Sequence, residues 1–363
     1  MKRVKSTTSD PKPRHSYSLV VRGTSDVRVG PILAVPAVLT DLGVKPKRAF
    51  AKAGVDFELF RDPEQRIGLD AVGRLFETCA ALTDCSHFGL LVGARFDLKA
   101  MGSLGYLMCN SATVGDALRS LLLHLHLHDR GAAPVLLACG PSSLLLGYSI
   151  YRHGMPAIGH IYDAAIAIGY KILRELCSSP WHPMHVQFSY RRPDSTAPYR
   201  QLFRSRVLFE AEVSGIVFAS TVLEKPIDGA DANLHSILAK TIREEETRLS
   251  MGFAEQVERV LHQMVLSGIA TADSIARLFG IHERTLRRRL AQEGKNLQQL
   301  INEARFELAQ QLLQNTGLPV TEIAAALQYK DANAFSRAFR SWANLSPTQW
   351  RVRRRLRDQS IEQ

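Results

Sequence analysis

The stretch "HERTLRRRLAQEGKNL", His282–Leu297, carries four arginines within six positions and leucines among them. At about 100° per residue on an α-helix, Arg284, Arg287 and Arg288 fall within an arc of about 100°. The leucines on the opposite side of that helix are Leu286 and Leu290. The stretch therefore predicts an amphipathic helix with an exposed arginine face. A solvated charged face with no further role is the alternative that the rest of the chain has to exclude.

The same pattern occurs again further along the chain. "DSIARLFGIHERTLRRRL" aligns with "TEIAAALQYKDANAFSRAFRSW" at an offset of 48 to 49 positions. Each copy predicts a short helix, a turn and a second amphipathic helix, which is a helix-turn-helix unit. The matching apolar positions are Ile275-Ala276 with Ile323-Ala324, and Leu286 and Leu290 with Phe335 and Phe339.

The second helix of the second copy has the same two-sided character. Asn333, Ser336, Arg337 and Arg340 share one face at helical spacing. The aromatic residues on the other face are Phe335, Phe339 and Trp342. Two copies of a polar face in the same register favour a functional surface over a solvated one.

A leucine-rich segment, "LQQLINEARFELAQQLL", joins the two copies and keeps a helical stripe over about four turns. A helix of about 17 residues is about 25 Å long. Such a rigid connection could place the two polar faces in successive major grooves of DNA, which recur about every 34–36 Å.

The end of the chain, "SPTQWRVRRRLR", predicts one more helix. Ser346, Pro347 and Gln349 form a capping box with proline at the first helical position. Five arginines between Arg351 and Arg357 suit phosphate contact, and a flexible basic tail is the alternative.

The first two thirds of the chain predict a mixed α+β domain. "TVGDALRSLLLHLHLH" is helical with Thr113 as its N-cap, and "APVLLACG" and "SSLLLGYSI" predict a hairpin. A long apolar helix is predicted to start near Pro156, and strand-like runs follow. The expected organisation is a disordered basic tail at 1–28, an effector-binding and dimerisation domain at 29–228, a linker helix at 229–252 and an all-α DNA-binding domain at 253–357.

Composition sets further bounds. The chain has 363 residues and a formal net charge of +11, which favours a polyanionic partner such as nucleic acid. No apolar run is long enough to span a membrane and no signal peptide is present, so a cytoplasmic protein without a membrane partner is expected. The five cysteines lack paired spacing, which argues for buried reduced thiols rather than disulfides or a zinc site.

"HLHLHD", His124–Asp129, is the one candidate metal site. On a strand, three histidines would share a face and could bind zinc. The preceding periodicity favours a helix, where only His124 and His128 share a face. No nucleophile elbow, phosphate-binding glycine loop or carboxylate pair is present. We therefore expect no enzyme, no metal and no cofactor, and keep a metal-dependent enzyme fused to a DNA-binding module as a remote alternative.

The segment "VTEIAAALQYKDANAFSRAFRSWANLSPTQWR" resembles the signature of the AraC/XylS family of bacterial transcription regulators. The resemblance extends over about Phe253–Arg355. A weaker resemblance over about Leu33–Pro226, carried by "DPEQRIGLDAVGRLFE" and "GSLGYLMCNSATVGDALRSL", is to the arabinose-binding-type, ornithine-regulator-like sensor domain of one branch of that family.

The resemblance implies DNA binding by the helices near 283–293 and 333–343. Carried over by position, the first helix presents Arg284, Arg287 and Arg288. The second presents Asn333, Ser336 and Arg337, with Arg340 on phosphate. Arginine can bind guanine and asparagine can bind adenine through paired hydrogen bonds, which agrees with these positions.

The chain departs from the family pattern in its turns. The family usually has Gly-Phe where this chain has Gln328-Tyr329, and often glycine at Asn344. Glutamine in a left-handed conformation would cost on the order of 1 kcal/mol unless the turn differs. Asparagine tolerates that conformation, so we expect its turn to survive. The first recognition helix also has more arginine than usual, which favours phosphate contact.

The leading hypothesis is a homodimeric transcription activator that is controlled by a small-molecule effector and contacts RNA polymerase, as the family resemblance implies. An effector-independent architectural DNA-binding protein is the alternative. The sequence does not identify the effector, its contact residues or the target genes.

Overall fold

The computed structural model describes residues 26–150, 157–178, 181–211, 213–248, 252–266, 270–315 and 319–359. The N-terminal part is α+β and the C-terminal part is all-α, which confirms the predicted fold class. Residues 1–25 of the predicted tail at 1–28 lie outside the described residues. Residues 26–28 correct that boundary, because they form a strand that pairs with residues 66–68.

The N-terminal elements follow one another in an irregular order of helices and strands. They are β1 (Asp26–Arg28), α1 (Val35–Asp41), α2 (Pro46–Ala53), β2 (Arg66–Gly68), α3 (Leu69–Thr83), α4 (Phe88–Ala94), α5 (Gly102–Cys109), α6 (Val114–His124), β3 (Ala132–Ala138), β4 (Ser143–Ile150), α7 (Ile158–Cys177), β5 (His185–Gln187), α8 (Ala197–Phe203), β6 (Arg206–Leu208), β7 (Gly215–Ala219) and α9 (Ala232–Arg248).

Five of the strands form one sheet in the order β3-β4-β7-β5-β6, in which only β5 and β6 are parallel. The predicted hairpin is confirmed, with Ala138 opposite Leu144 at its turn and Ala132 opposite Ile150 at its far end. Thr113 is confirmed as the N-cap of α6, since its hydroxyl accepts a hydrogen bond from the Asp116 N–H at 3.1 Å. The long apolar helix is α7, and its predicted start at Pro156 lies outside the described residues.

Helix α7 contacts both hydrophobic cores of the N-terminal domain. Its Ile161 and Ala164 belong to the core around α1 to α4, whereas its Leu173 belongs to the core under the sheet. Close packing of α4 on α7 requires glycine, because a Cβ at Gly89 would lie 2.1 Å from the His160 carbonyl oxygen. The two cores therefore meet along one helix.

A buried carboxyl group interrupts the apolar surface of α7. The Tyr199 hydroxyl donates to Asp163 Oδ2 at 3.0 Å, and the Tyr190 hydroxyl donates to Oδ1. The ring of His160 lies 4.0 Å from the same carboxyl group. Burial raises the pKa of Asp163 to about 7, and the two tyrosine hydrogen bonds oppose that rise.

Asp163→Asn is expected to remove a pH dependence of stability. The folded-state pKa lies above the unfolded value, so Asp163 stabilises the fold below about pH 4, and this contribution is lost as the pH rises to about 7. The free energy of unfolding of the wild type relative to the variant should therefore fall by about 1 kcal/mol per pH unit in that window. Urea unfolding of both proteins at pH 5, 6, 7 and 8 measures this difference. A difference that does not change with pH would contradict the prediction.

The cysteine prediction is only partly correct. No disulfide forms, and Cys79, Cys85 and Cys177 are buried. Cys109 is half-buried, and Cys139 is exposed because it follows β3 at the turn of the hairpin.

Helix α9, predicted as a linker, packs along α5 and buries Ile242 in the core under the sheet. Its last turns make an ion pair and a carboxylate–histidine contact with the N-terminal domain. Glu245 binds Arg28 at 2.6 Å, and Glu246 lies 2.7 Å from His124 Nδ1. The helix is therefore attached to the sensor-side domain over most of its length.

The C-terminal domain consists of helices that surround a third core. They are α10 (Phe253–Leu266), α11 (Ala272–Leu278), α12 (Glu283–Gln292), α13 (Leu297–Asn315), α14 (Val320–Ala326), α15 (Ala332–Ala343) and α16 (Pro347–Gln359). Helix α10 packs against β3, the edge strand of the five-stranded sheet, and Leu123 of α6 contacts the third core. Within the described ranges, no helix has the length and apolar character needed to cross a membrane.

Candidate nucleic-acid interface and N-terminal cavity

The first helix of each helix-turn-helix unit ends with the same backbone geometry. Gly280 has φ +63° and Gln328, at the matching position, has φ +61°. The N–H of Ile281 donates to the Ala276 carbonyl at 2.9 Å, and the N–H of Tyr329 donates to the Ala324 carbonyl at 2.9 Å. These bonds close both first helices as Schellman motifs.

The offset between the copies grows from 48 to 49 because the second turn is one residue longer. Four residues separate α11 from α12, whereas five separate α14 from α15. The extra length ends in Asp331, whose side chain accepts from the Ala334 N–H at 2.7 Å and caps α15. His282, at the equivalent place before α12, makes no such bond.

The apolar faces predicted for the two recognition helices, α12 and α15, are confirmed. Leu286, Leu290, Phe335 and Phe339 are all buried in the third core. Trp342 is half-buried beside Phe306, with ring centroids 5.4 Å apart. Ile275-Ala276 and Ile323-Ala324 are buried at the contact between the helices of each unit.

The arginines of α12 lie on the surface but differ in their partners. Arg284 and Arg288 are exposed, and neither has an ion pair among the residues that the structure describes. Arg287 is exposed and bound to Glu283 at 2.7 Å, one helical turn earlier. Exposed ion pairs of this type are worth only about 0.2–1 kcal/mol, so a phosphate could replace Glu283.

Helix α15 presents the other predicted contact residues. Asn333, Arg337 and Arg340 are exposed, and Ser336 is half-buried between them. The recognition surface, defined as the seven predicted contact residues of α12 and α15, therefore carries five arginines and the uncharged side chains of Asn333 and Ser336. The structure holds no DNA, so the contacts of these residues remain predictions.

Three contacts that the sequence analysis missed hold α12 in place. The Glu293 carboxylate accepts from the backbone N–H groups of Phe253 and Ala254 at 2.7 and 2.9 Å, and so caps α10. Arg289, the fourth arginine of the opening stretch, lies over the Phe253 ring at 5.3 Å. Lys295 binds Glu258 at 3.1 Å. About 40 residues separate the partners, so no local pattern in the sequence could have shown these contacts.

Helix α13 connects the two units as predicted, and its 19 residues correspond to about 28 Å. At the start of α16, the predicted capping box is confirmed. Ser346 N–H donates to Gln349 Oε1 at 3.0 Å, and Gln349 N–H donates to Ser346 Oγ at 3.3 Å. Arg351 donates to the Leu313 carbonyl at 3.1 Å and so joins α16 to α13, whereas Arg353 is exposed. The side chains of Arg354, Arg355 and Arg357 lie outside the described part.

The histidine cluster is arranged differently from the prediction. Helix α6 ends at His124 and a 3₁₀ turn follows, so His124 and His128 do not share a helical face. His124 Nδ1 and His126 Nε2 instead lie 2.7 and 3.4 Å from Glu246. No group of three or more potential ligands converges on a metal-binding site in the described ranges.

A partly enclosed cavity of about 100 Å³ lies between the two cores of the N-terminal domain. Its walls come from α3, α6, α7 and the β3–β4 hairpin and are almost entirely apolar. The polar residues that line it are His128, Asp129 and Tyr148. Mostly apolar, preformed cavities with a few polar groups are typical of small-molecule sites.

Comparison with known proteins agrees with both parts of the chain. Residues 43–227 match the family described as "Arabinose-binding domain of AraC transcription regulator, N-term". Residues 275–353 match the family described as "Helix-turn-helix domain". The chain belongs to the AraC family of transcription regulators.

AraC-family relatives match over nearly the whole chain. The HTH-type transcriptional regulator VirS of Mycobacterium tuberculosis is 25% identical over 87% of this chain and 93% of its own length. The ornithine utilization regulator of Pseudomonas aeruginosa is 26% identical over 86% of this chain and 93% of its own length. The crystal structure of the transcriptional regulator CdpR from P. aeruginosa aligns with a TM-score of 0.42 at 22% identity, covering 85% of this chain and 96% of that chain.

The departures from the AraC-family turn pattern leave the turns intact. Gln328 adopts the left-handed conformation that glycine would adopt without strain, and Asn344 does the same at φ +57°, as predicted. Tyr329 contacts Phe335, with ring centroids 5.5 Å apart, and its other side carries Arg305 at 5.3 Å. Tyrosine thus provides a ring that the second unit packs against.

Gln328→Gly is expected to stabilise this AraC-family protein by about 0.5–1 kcal/mol. Glycine removes the strain of the left-handed conformation, and this gain exceeds the loss caused by the greater conformational freedom of glycine in the unfolded chain. Gly280→Gln, the reverse change in the first unit, should destabilise it by a similar amount, since a Cβ there meets nothing within 4 Å and only φ opposes it. Urea unfolding followed by tryptophan fluorescence measures both. Shifts of the same sign in the two variants would refute the argument.

Proposed function

We propose that this regulator activates transcription by binding promoter DNA through α12 and α15 in two successive major grooves, under the control of a small molecule bound in the N-terminal cavity. The observation that carries the proposal is the duplicated recognition surface. Two units, whose first helices end with the same backbone geometry, each bury two large apolar residues and expose arginine on the other side. The roughly 28 Å length of α13 supports binding to adjacent grooves, which recur about every 34–36 Å.

Within the recognition surface, we assign base contacts to Arg284, Arg288, Asn333 and Arg337, because each is exposed and has a side chain that can bind a base edge. Arg287 and Arg340 are assigned to phosphates. Ser336 is half-buried and short, which suits a close contact with the groove edge.

The remaining elements of the proposal concern the assembly. Leu234 and Ile237 are exposed apolar side chains on α9, with Ile237 62% exposed, and they support a homodimer through this helix. Contact with RNA polymerase follows from activation, and a cytoplasmic location follows from binding bacterial promoters. The relatives are regulators by name, which supports a role in binding rather than in enzyme catalysis.

The proposal is tested by selecting genomic DNA fragments with the purified protein at near-physiological salt, followed by sequencing. Salt is essential because phosphate contacts alone retain any fragment at low ionic strength. We expect a recurrent motif that spans about two helical turns. Recovery of unenriched DNA, both alone and with extracts of the host's small molecules, would favour an architectural DNA-binding protein and overturn the proposal.

A further inference from the structure

The polar groups of the N-terminal cavity indicate which class of molecule it accepts. Asp129 is 4% exposed and already accepts three hydrogen bonds. The N–H groups of Gly131 and Ala132 donate to its Oδ1 at 2.8 and 3.1 Å, and the Tyr148 hydroxyl donates to Oδ2. A carboxylate offers about four acceptor positions, so one remains for a ligand.

His128, the neighbouring residue, is 2% exposed and also lines the cavity. Its Nδ1 is buried without a hydrogen-bond partner in the described structure. Burial lowers the pKa of His128 to about 3, with the charges of Arg28 and Arg66 acting in the same direction, so the ring is neutral. The ring also donates a hydrogen bond to the backbone carbonyl of Met101, which opposes the lowering of the pKa. Because Nδ1 has no partner, the donor is Nε2. Nδ1 is then a bare acceptor.

Anionic ligands are disfavoured at this place. Two acceptors, Asp129 and His128 Nδ1, would face the negative charge. The nearest cations use their donors elsewhere, since Arg66 bonds Asp26 and the Leu127 carbonyl at 2.7 and 2.8 Å. Arg28 likewise binds Glu64 and Glu245.

Cationic ligands are disfavoured as well. The walls are almost entirely apolar, so an ammonium group would lose its hydration in exchange for a single remaining acceptor position on Asp129. A neutral hydrogen-bond donor, such as a hydroxyl group, satisfies one of the two free acceptors without introducing a charge.

We infer that the cavity binds a small, uncharged, mainly apolar molecule whose hydroxyl group donates to His128 Nδ1 or to Asp129. The claim that this molecule is the effector rests on the proposed function, whereas the claim that it binds in the cavity does not. An enclosed apolar cavity of about 150 Å³ holds a benzene ring, so the cavity of about 100 Å³ takes at most one such ring, with a small substituent placed toward its open side.

Four monosubstituted benzenes test this inference on the full-length protein by ligand-observed NMR titration: phenol, fluorobenzene, benzoate and benzylammonium. We expect phenol to bind with a Kd of about 1 mM or lower. Fluorobenzene, which has the same size but no donor, should bind at least about tenfold more weakly. Benzoate and benzylammonium should not compete with phenol.

Two variants locate the binding. Ala165 lines the cavity from α7, and Ala165→Leu should abolish phenol binding by filling it. Ala51→Leu adds the same volume at an exposed position of α2 and should leave binding unchanged. His128→Phe keeps a ring but removes the Nδ1 acceptor, so the preference for phenol over fluorobenzene should fall toward one if the hydroxyl donates to Nδ1 and should persist if it donates to Asp129.

Each contrary result overturns the inference. Equal binding of phenol and fluorobenzene would remove the donor requirement, and tighter binding of benzoate or benzylammonium would show a charged ligand class. Phenol binding that survives Ala165→Leu, or no binding by any probe, would exclude the cavity. Because DNA selection does not depend on these titrations, its outcome separates a failure of this inference from a failure of the proposed function.

Discussion

Replacing Arg288 or Arg337 with alanine is expected to weaken binding to a selected promoter fragment by about 1–3 kcal/mol each. The two residues lie on different recognition helices with α13 between them, so the losses should add. The double variant should therefore bind more than about 30-fold more weakly. Both side chains are exposed, and removing them leaves the buried leucine and phenylalanine faces untouched. Fluorescence anisotropy with the promoter fragment and with a scrambled fragment measures specific and non-specific affinity.

Two controls separate base contacts from charge. Arg61→Ala removes the same charge from an exposed position of the N-terminal domain, where Arg61 binds Glu58, and should leave the affinity unchanged. Arg340→Ala should weaken binding to both fragments equally and reduce the slope of affinity against salt by about one. If Arg288→Ala and Arg337→Ala both leave promoter affinity unchanged while the protein stays folded, the proposed surface is wrong.

Phe339→Ala is expected to destabilise the C-terminal domain by about 3–5 kcal/mol. The Phe339 side chain is fully buried, and its ring lies 5.5 to 5.9 Å from the rings of Phe306, Phe335 and Trp350. These rings come from α13, α15 and α16, so they cannot all move in to fill the cavity that alanine would leave. The midpoint of urea unfolding, followed by tryptophan fluorescence, measures the loss.

Val352→Ala provides the comparison within the same domain. Val352 is exposed on α16, so its truncation should change the stability by no more than about 0.5 kcal/mol. A loss below about 1 kcal/mol in Phe339→Ala would show that the packing of the second unit does not depend on this ring. DNA binding should fall in Phe339→Ala only at denaturant concentrations that unfold the domain.

The two helix-turn-helix units could be predicted because their information is local. A recognition helix needs one apolar face and one polar face. The helical spacing of apolar residues that produces these faces is visible within the 12 residues of a single helix, as in Ala332–Ala343. The caps at Thr113 and Ser346 involve residues three positions apart, so they could also be predicted. Gln328 shows the limit of this approach, since the turn it occupies is enforced by Tyr329 and the rest of the unit despite an unfavourable residue.

The cavity could not be predicted, because its polar residues are assembled by the fold. Tyr148 reaches Asp129 only because the β3–β4 hairpin folds back along its own length. The arrangement of the histidines was predicted wrongly for the same reason, since the contact partner of His124 and His126 is Glu246 on α9, more than 100 residues away. Arg289 and Glu293 likewise gained structural roles from contacts with α10.

For this protein, then, periodicity and motif resemblance in the sequence were sufficient for the fold class, the family and the arginine faces, since each depends on residues within a few turns of one another. The ion pair between Lys295 and Glu258, the burial of Asp163 and the unpartnered Nδ1 of His128 depend on tertiary structure. Burial and the supply of hydrogen-bond partners are properties of three-dimensional packing, in which α7 brings two separate cores together around one cavity. The surface proposed to bind DNA is thus largely encoded locally, whereas the ligand class proposed for the cavity depends on residues that meet only in the folded chain.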